Sequence, residues 1–201
     1  MGKVFTIRLI RIEDLKELLE LHHLLFPVKY SMETMHSFLK THYLSLVLTV
    51  KDENEEKIIG VSVAKRRWAS FFSTDRYGYL CTFGIHPDYR LRHFATDILH
   101  VTTKILKNHF LCSSIFLHMQ KINEAAYNFY MNFGFKAVEI LPQHYSLPGE
   151  EATAVYMSYN LIDEEDSNDF LKNQILIDPE VQSLFTKIPP LSWLSTFNME
   201  P

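Results

Sequence analysis

The stretch that decides the fold is YLCTFGIHPDYRLRHFATDIL, residues 79–99. Its first seven residues are typical of a buried strand, and the turn HPDYR follows them. From about Leu91 to Asn108, apolar residues recur at helical spacing, which predicts a helix. A strand that turns directly into a helix presents free backbone N–H groups at the positive end of that helix. The stretch therefore predicts an anion-binding loop.

The elements on either side of this stretch predict an α/β fold with a mixed central sheet flanked by helices. Apolar runs predict strands over residues 4–10, 43–50, 56–66, 79–85, 113–119, 135–141 and 152–161. Helical spacing predicts helices over residues 13–26, 32–41, 91–108 and 123–134. The charged turn KDENEE predicts a hairpin between the second and third strands, and residues 66–78 are predicted to be a surface loop. A ligand crevice is expected near the middle of such a sheet.

The composition limits the classes of function. The net charge is −4 and the basic residues are scattered, which argues against nucleic acid as the main partner. The ten histidines form no pattern of metal ligands, so no metal site is predicted. Cys81 and Cys112 lack the spacing of a disulfide framework and are interpreted as free thiols in a reducing compartment. With no signal peptide or spanning segment predicted, a cytoplasmic location is expected.

Four segments carry a family resemblance: YLCTFGIHPDYR, RLRHFA, IFLHMQKIN and AAYNFYMNFGF. They resemble the acetyl-CoA-binding core of the GNAT acyltransferase superfamily. FPVKY (26–30), the Tyr79 and His118 pair and LPQHYSLPG (141–149) narrow the likeness to N-alpha-acetyltransferases, first the NatF (Golgi-type) and next the NatE catalytic type. The resemblance covers about residues 4–161 and implies a GNAT fold with acetyl-CoA as co-substrate.

The family loop reads Arg or Gln, two residues, Gly, one residue, then Gly or Ala. Here Arg90 and Ala95 match, but His93 stands at the glycine position, which predicts weakened rather than abolished cofactor binding. A helix that is merely capped after a turn is the alternative. For Asn123 the alternative to a cofactor contact is a role as the N-cap of the following helix. For Tyr130 the alternative is a place in the apolar core. The resemblance implies cofactor contacts from Phe83, Gly84, Ile85, Leu91, Arg92, His93, Phe94, Ala95, Thr96, Asn123, Tyr130 and Phe133.

Tyr79 and His118 resemble the catalytic pair of the family. A free N-terminal amine has a pKa of about 7.7–8.0, so a histidine and a tyrosine acting through water can deprotonate it near neutral pH. The amine would attack acetyl-CoA directly, and backbone N–H groups around Phe83 to Ile85 would hold the oxyanion. The alternative for His118 is a hydrogen-bonded histidine at a strand end.

The loop FPVKY predicts a substrate pocket. Phe26, Pro27, Val28 and Tyr30 offer an apolar wall with one hydroxyl, and Cys81 and Tyr145 are assigned to the same pocket. The resemblance implies protein N-terminal peptides as substrates, commonly Met followed by a bulky or hydrophobic residue. The alternatives are a GNAT enzyme for lysine side chains or small amines, and a catalytically impaired CoA-binding module.

A composition change after Leu161 predicts a domain boundary, with a GNAT domain over residues 1–161 and an acidic linker and C-terminal tail over 162–201. NatF-type enzymes carry a membrane-binding C-terminal region, so this resemblance implies peripheral contact with the cytosolic face of the Golgi or another organelle. The tail has few basic residues, which leaves packing on the domain and disorder as alternatives. The sequence leaves the oligomeric state open.

Overall fold

The computed structural model describes residues 2–53, 55–68, 75–162 and 171–185. Its strands form one mixed sheet flanked by helices, as the sequence predicts. The strands are β1 (Val4–Leu9), β2 (Tyr43–Asp52), β3 (Glu55–Trp68), β4 (Arg76–Ile85), β5 (Ser114–Gln120), β6 (Lys136–Leu141), β7 (Ala154–Asn160) and β8 (Ile175–Ile177). The helices are α1 (Leu15–Leu25), α2 (Met32–Ser37), α3 (Phe94–Asn108), α4 (Glu124–Phe133) and α5 (Pro179–Leu184). Across the sheet the strands follow the order β6-β7-β5-β4-β3-β2-β1-β8.

The two faces of the sheet have separate apolar cores because side chains alternate along each strand. Val47, Val61 and Val63 pack with the buried side chains of α1 and α2 on one face. Leu46 and Leu48 belong to the larger core on the other face, where α3 lies. Helices on both faces hold the middle strands in place and leave their ends to form a site.

The predicted hairpin between β2 and β3 is confirmed, but the predicted surface loop over residues 66–78 is wrong at both ends. β3 continues to Trp68 and β4 begins at Arg76, so the hairpin they form is longer than the apolar pattern indicates. Cation–π packing favours the extension, since the Arg76 guanidinium lies 4.7 Å from the Trp68 ring centroid. Residues 69–74 lie outside the described part of the chain.

The parallel pairing of β4 with β5 is short. It runs from Tyr77 opposite Ser114 to Leu80 opposite Leu117. Beyond this point both strands continue, to Ile85 and Gln120, without further pairing to each other. The two strands therefore separate in the middle of the sheet and open the crevice expected there.

A β-bulge marks the point of separation. Val63 of β3 pairs with Thr82, whereas the next residue, Ala64, pairs with Leu80. Cys81 is the extra residue in β4, and a bulge of this kind bends its strand and increases the local twist. The bend redirects the second half of β4 away from β5.

Part of the predicted tail packs on the domain. β8 pairs in parallel with β1, and the backbone N–H of Asp178 donates to the Ile7 carbonyl at 2.9 Å. Val181 of α5 is fully buried. Of the three outcomes considered for the tail, packing on the domain therefore holds for residues 171–185. The acidic linker over 163–170 and the end of the chain from 186 lie outside the described residues.

A buried ion pair fixes the first strand to the start of α1. Two guanidinium nitrogens of Arg8 donate to the two carboxylate oxygens of Asp14 at 2.7 and 2.9 Å. Burial by itself raises the pKa of Asp14, but hydrogen bonds from Arg8 and from the Arg11 backbone hold that pKa below its usual value. The stabilisation is therefore present above the ordinary pKa of a carboxyl group and is lost as the pH falls through the lowered one.

Asp14→Asn keeps the size of this side chain and leaves the buried Arg8 guanidinium without its main counterion. We expect the free energy of unfolding to fall by about 3–5 kcal/mol, measured by urea denaturation at neutral pH. Lys3→Ala is the control, because Lys3 and Asp52 form an exposed ion pair at 3.9 Å and its loss costs less than about 1 kcal/mol. Equal losses in the two variants would contradict a structural role for the buried pair.

Candidate active site

A cavity of about 630 Å³ lies where β4 and β5 separate. Its wall combines the end of α1, the second halves of β4 and β5, and the first turns of α3 and α4. Most of the residues predicted from the sequence line it: Phe26, Pro27, Val28, Tyr30, Tyr79, Cys81, Phe83, Gly84, Ile85, Ala95, His118, Asn123, Tyr130 and Tyr145. Residues from six separate segments, the loop of Tyr145 included, thus meet in one space.

Six residues predicted to contact the cofactor are not in the wall of this cavity: Leu91, Arg92, His93, Phe94, Thr96 and Phe133. Two of these side chains face the core instead. Phe94 is buried with its ring centroid 4.6 Å from that of Phe5, because it begins the apolar face of α3. Phe133 packs on His100 of α3, with ring centroids 4.6 Å apart. Any cofactor contact from either of the two would have to come from its backbone.

The loop before α3 adopts a left-handed backbone at two residues that are not glycine. Leu91 has φ 59° and His93 has φ 62°, and His93 is the N-cap of α3. The position that the family pattern reserves for glycine therefore does require a positive φ, which histidine tolerates better than most residues. The histidine that replaces the family's glycine therefore places backbone strain in the loop.

The loop before α3 carries the kinds of group that bind a phosphate. The first hydrogen bond of α3 runs from Asp97 N–H to the His93 carbonyl, at 3.0 Å. The N–H groups of the preceding residues lie outside the helical ladder and at the positive end of a helix of 15 residues. Arg90 adds a cation in the cavity wall, and its Nε donates to the Ile85 carbonyl at 3.1 Å. Backbone donors and a guanidinium are the groups that bind phosphate.

Asn123 and Tyr130 occupy the cavity side of α4. The Asn123 side chain accepts a hydrogen bond from Ala126 N–H at 3.1 Å, so its role as an N-cap is confirmed. Tyr130 is buried among Phe83, Phe129 and Phe135, with ring centroids 5.3–6.1 Å away. Burial raises the pKa of Tyr130 strongly, so its hydroxyl stays protonated and can donate a hydrogen bond at any neutral pH.

Tyr79 and His118 are brought together at the point where the strands separate. The Tyr79 hydroxyl lies 2.7 Å from Nδ1 of His118, a strong hydrogen bond between side chains 39 positions apart. Burial raises the pKa of Tyr79 to about 12. The His118 imidazole has its pKa lowered to about 4, first by burial and then by the neighbouring His144. His118 is therefore uncharged near neutral pH, and its low pKa makes it a weak base that relays a proton rather than holding it.

Two further rings hold the His118 imidazole: His144, which belongs to the segment LPQHYSLPG, and Tyr156, to which the sequence assigned no role. His144, in the loop after β6, stacks on it with ring centroids 4.3 Å apart and planes at 14°. Tyr156 of β7 stacks at 4.8 Å and 27°. β7 pairs with β5 opposite His118, so the only advance signal for Tyr156 was its place in the last predicted strand. Together the rings fix the plane of the imidazole.

The end of α1 is anchored to β4, which positions the loop FPVKY. Nδ1 of the buried His22 donates to the Leu18 carbonyl at 2.8 Å, and its Nε2 lies 3.0 Å from the Thr82 hydroxyl. Burial lowers the pKa of His22, so the ring stays neutral and Nε2 accepts from Thr82. A Cβ on Gly84 would meet Leu25 at 2.9 Å, so this glycine lets α1 approach the strand closely.

Comparison with known proteins identifies the class to which this fold and site belong. The model of the Acetyltransferase (GNAT) family matches residues 15–135, more than half of the chain. The chain therefore belongs to this family. It is an acetyltransferase, and acetyl-CoA is its co-substrate.

Individual relatives carry more specific names. An N-alpha-acetyltransferase of Saccharolobus solfataricus is 25% identical over 156 residues, which cover 75% of this chain and 91% of that protein. The crystal structure of Arabidopsis thaliana NAA60 with a bisubstrate analogue has a TM-score of 0.71 at 22% identity, covering 78% and 99% of the two chains. Arabidopsis thaliana Naa50 bound to the bisubstrate analogue CoA-Ac-MVNAL has a TM-score of 0.66, also at 22% identity, covering 78% and 98%.

His93→Gly tests the strain in the cofactor loop. Glycine adopts the positive φ without a steric penalty and lets the diphosphate approach bare backbone, so we expect the Kd for acetyl-CoA to fall by up to about tenfold in calorimetry. His93→Ala is the matched control, because it removes the imidazole but keeps the Cβ. If both variants bind acetyl-CoA equally, the backbone conformation at this position does not limit binding.

His144→Ala tests whether the stacked His144 ring controls the pKa of His118. Removing the stacked ring exposes His118 and removes a neighbouring positive charge at low pH, so the pKa of His118 rises. The ammonium of the substrate, with a pKa of about 7.7–8.0, dominates the acidic limb of kcat/KM, so the His118 ring is followed by NMR and we expect its titration to move upward by about one unit. Activity above about pH 8 should be retained, because the group is neutral there in both proteins.

The matched variant is His144→Phe, which keeps a stacked ring and removes only the charge. We expect it to shift the titration of His118 less than His144→Ala, since burial is the larger cause of the low pKa. An unchanged His118 titration in both variants would show that the stacked His144 ring does not control the pKa of His118.

Proposed function

We propose that this acetyltransferase transfers the acetyl group of acetyl-CoA to the free N-terminal amine of proteins. The observation that carries the proposal is the Tyr79–His118 hydrogen bond of 2.7 Å in the wall of the cavity. It lies on the strands between the diphosphate loop and the FPVKY loop, so an amine arriving from one side meets a thioester arriving from the other. The relatives named N-alpha-acetyltransferase support the same reaction.

The chemistry begins with a proton transfer. An N-terminal ammonium loses its proton through water and the Tyr79–His118 pair, which is neutral at physiological pH and passes the proton on to solvent because His118 is too weak a base to keep it. The amine then attacks the acetyl carbonyl, and the oxyanion that forms is held by backbone N–H groups of β4 near Phe83 to Ile85. When the C–S bond breaks, the buried Tyr130 hydroxyl, which stays protonated, donates a hydrogen bond to the thiolate, and the sulfur departs as the thiolate of CoA.

The predicted preference for Met followed by a bulky residue rests on the apolar wall of the cavity. Phe26, Pro27 and Val28 line it on the side of α1, and Tyr30 and Tyr145 add hydroxyl groups. Burial raises the pKa of Tyr145 and Tyr30, so both stay protonated as hydrogen-bond donors for a peptide backbone. The analogue bound to Arabidopsis thaliana Naa50, which begins Met-Val, is consistent with a pocket of this kind.

The NatF-type assignment is a finer proposal, with the NatE type as the alternative. It places the enzyme in the cytosol, in keeping with its two free thiols. No helix among the described residues is long and apolar enough to span a bilayer. The described tail residues Ile175 and Val181 are buried in the core, so they favour packing over membrane contact for that segment.

Mass spectrometry of acceptor peptides tests the proposal. With acetyl-CoA, a peptide that begins Met-Leu should gain one acetyl group on its N-terminal amine. An N-terminally blocked peptide with internal lysines, and the polyamine spermidine, should react at least about a hundredfold more slowly, because the FPVKY loop selects a chain end. Faster reaction of the lysine peptide or of spermidine would favour the alternative enzyme class.

His118→Ala belongs in the same assay as the catalytic control. Loss of the general base should lower kcat by about 10²–10⁴-fold and leave the Kd for acetyl-CoA unchanged. A protein that binds acetyl-CoA but acetylates none of these acceptors would instead be the impaired CoA-binding module.

A further inference from the structure

The described C-terminal segment reaches the cofactor loop from outside the family core. After its start at Leu171 the segment passes the first turn of α3, pairs with β1 as β8, and ends in α5. β8 and the buried Val181 fix it to the domain on the far side of this passage. Residues 172 and 173 are therefore held against α3 and are not a loose extension.

Asp97 of α3 accepts hydrogen bonds from this segment. Its carboxylate is fully buried in the first turn of α3. One oxygen accepts the backbone N–H of Lys172 at 2.6 Å, and the other accepts Nδ2 of Asn173 at 2.6 Å. A buried carboxylate is costly unless such donors satisfy it, so the segment and the helix depend on each other.

Asn173 also reaches the loop itself. Its Nδ2 donates to the backbone carbonyl of Arg92 at 2.8 Å, so one amide group joins the loop to the helix that follows. Arg92 is the residue between Leu91 and His93, the two non-glycine residues with positive φ. The C-terminal segment is thus hydrogen-bonded to the loop between its two non-glycine residues with positive φ.

We propose that Asn173 is a positioning residue for acetyl-CoA, which holds the diphosphate loop in its left-handed conformation from the C-terminal segment. A glycine in place of His93 would adopt that conformation unaided, whereas here the hydrogen bond at Arg92 compensates for the strain. The donors from residues 172 and 173 also bind the Asp97 carboxylate, which would otherwise compete with phosphate for the N–H groups of the first turn. The proposal rests on the assignment of residues 90–96 as the diphosphate loop.

Asn173→Ala in the full-length protein is the first test. We expect the Kd for acetyl-CoA, measured by calorimetry without peptide, to rise about tenfold, the effect of losing a hydrogen bond to a charged group. In steady-state assays the KM for acetyl-CoA should rise, while kcat at saturation and the KM for peptide stay unchanged. Gln174→Ala is the matched control, because it removes a neighbouring amide that is exposed.

Asn173→Asp is the second variant, and it keeps the shape of the side chain. It sets a second carboxylate against Asp97, and at pH 8 the repulsion between the two ionised groups drives residue 173 away from the loop. We expect weak acetyl-CoA binding at pH 8 and partial recovery towards pH 5.5, where one shared proton restores a donor. Each value is compared with the wild type at the same pH. The exposed neighbours Arg92, His93 and Lys172 are common to all these variants.

The outcomes separate this proposal from the function proposed above. Unchanged acetyl-CoA affinity in Asn173→Ala, or no recovery of Asn173→Asp at low pH relative to the wild type, would overturn the role of Asn173. A fall in kcat together with unchanged acetyl-CoA binding would overturn it as well. Because calorimetry needs no acceptor, the test stands whichever amine the enzyme acetylates.

Discussion

The site depends on the separation of β4 from β5 after Leu80 and Leu117. Two parallel strands that stop pairing leave backbone donors and acceptors facing the gap, and such groups need partners. The bulge at Cys81 bends β4 at the same point, so the gap widens into the cavity. An extended molecule with amide groups, such as the pantetheine arm of CoA, is suited to this exposed strand edge. The cavity therefore lies where the pairing of the sheet is interrupted.

Different elements line the two sides of the cavity. On one side, the hydrogen bond from Thr82 to His22 fixes the end of α1, and Gly84 lets that helix lie close to β4. On the other side, α3 directs its N-terminus at the same strand edge. Tyr79 precedes the bulge and His118 follows the last residue of β5 that pairs with β4, so their hydrogen bond lies at the point where the two strands separate.

Sequence patterns predicted much of this arrangement. Apolar periodicity located the described strands and helices of the domain before residue 161, since each must bury one face. It failed at residues 66–78, where cation–π packing extends two strands that the apolar pattern ends early. The family motif assigns Phe94 and Phe133 to the cofactor, whereas their side chains pack on Phe5 and His100, because a motif gives positions in the chain but not the direction of each side chain. The stacking of His144 and Tyr156 on His118 had no signal in the sequence, since it arises only when β5 and β7 pair.

By itself, the sequence determined the strand–turn–helix of residues 79–99, the glycine position that His93 occupies, and the pairing of Tyr79 with His118 as a candidate base. These are local patterns, or family motifs read in order along the chain. Only the tertiary structure decided that His93 takes a positive φ, that burial lowers the pKa of His118, and that Asn173 donates a hydrogen bond to the Arg92 carbonyl. Asn173 lies 81 positions from Arg92, and a contact over that distance depends on how the whole sheet brings its edge to the start of α3.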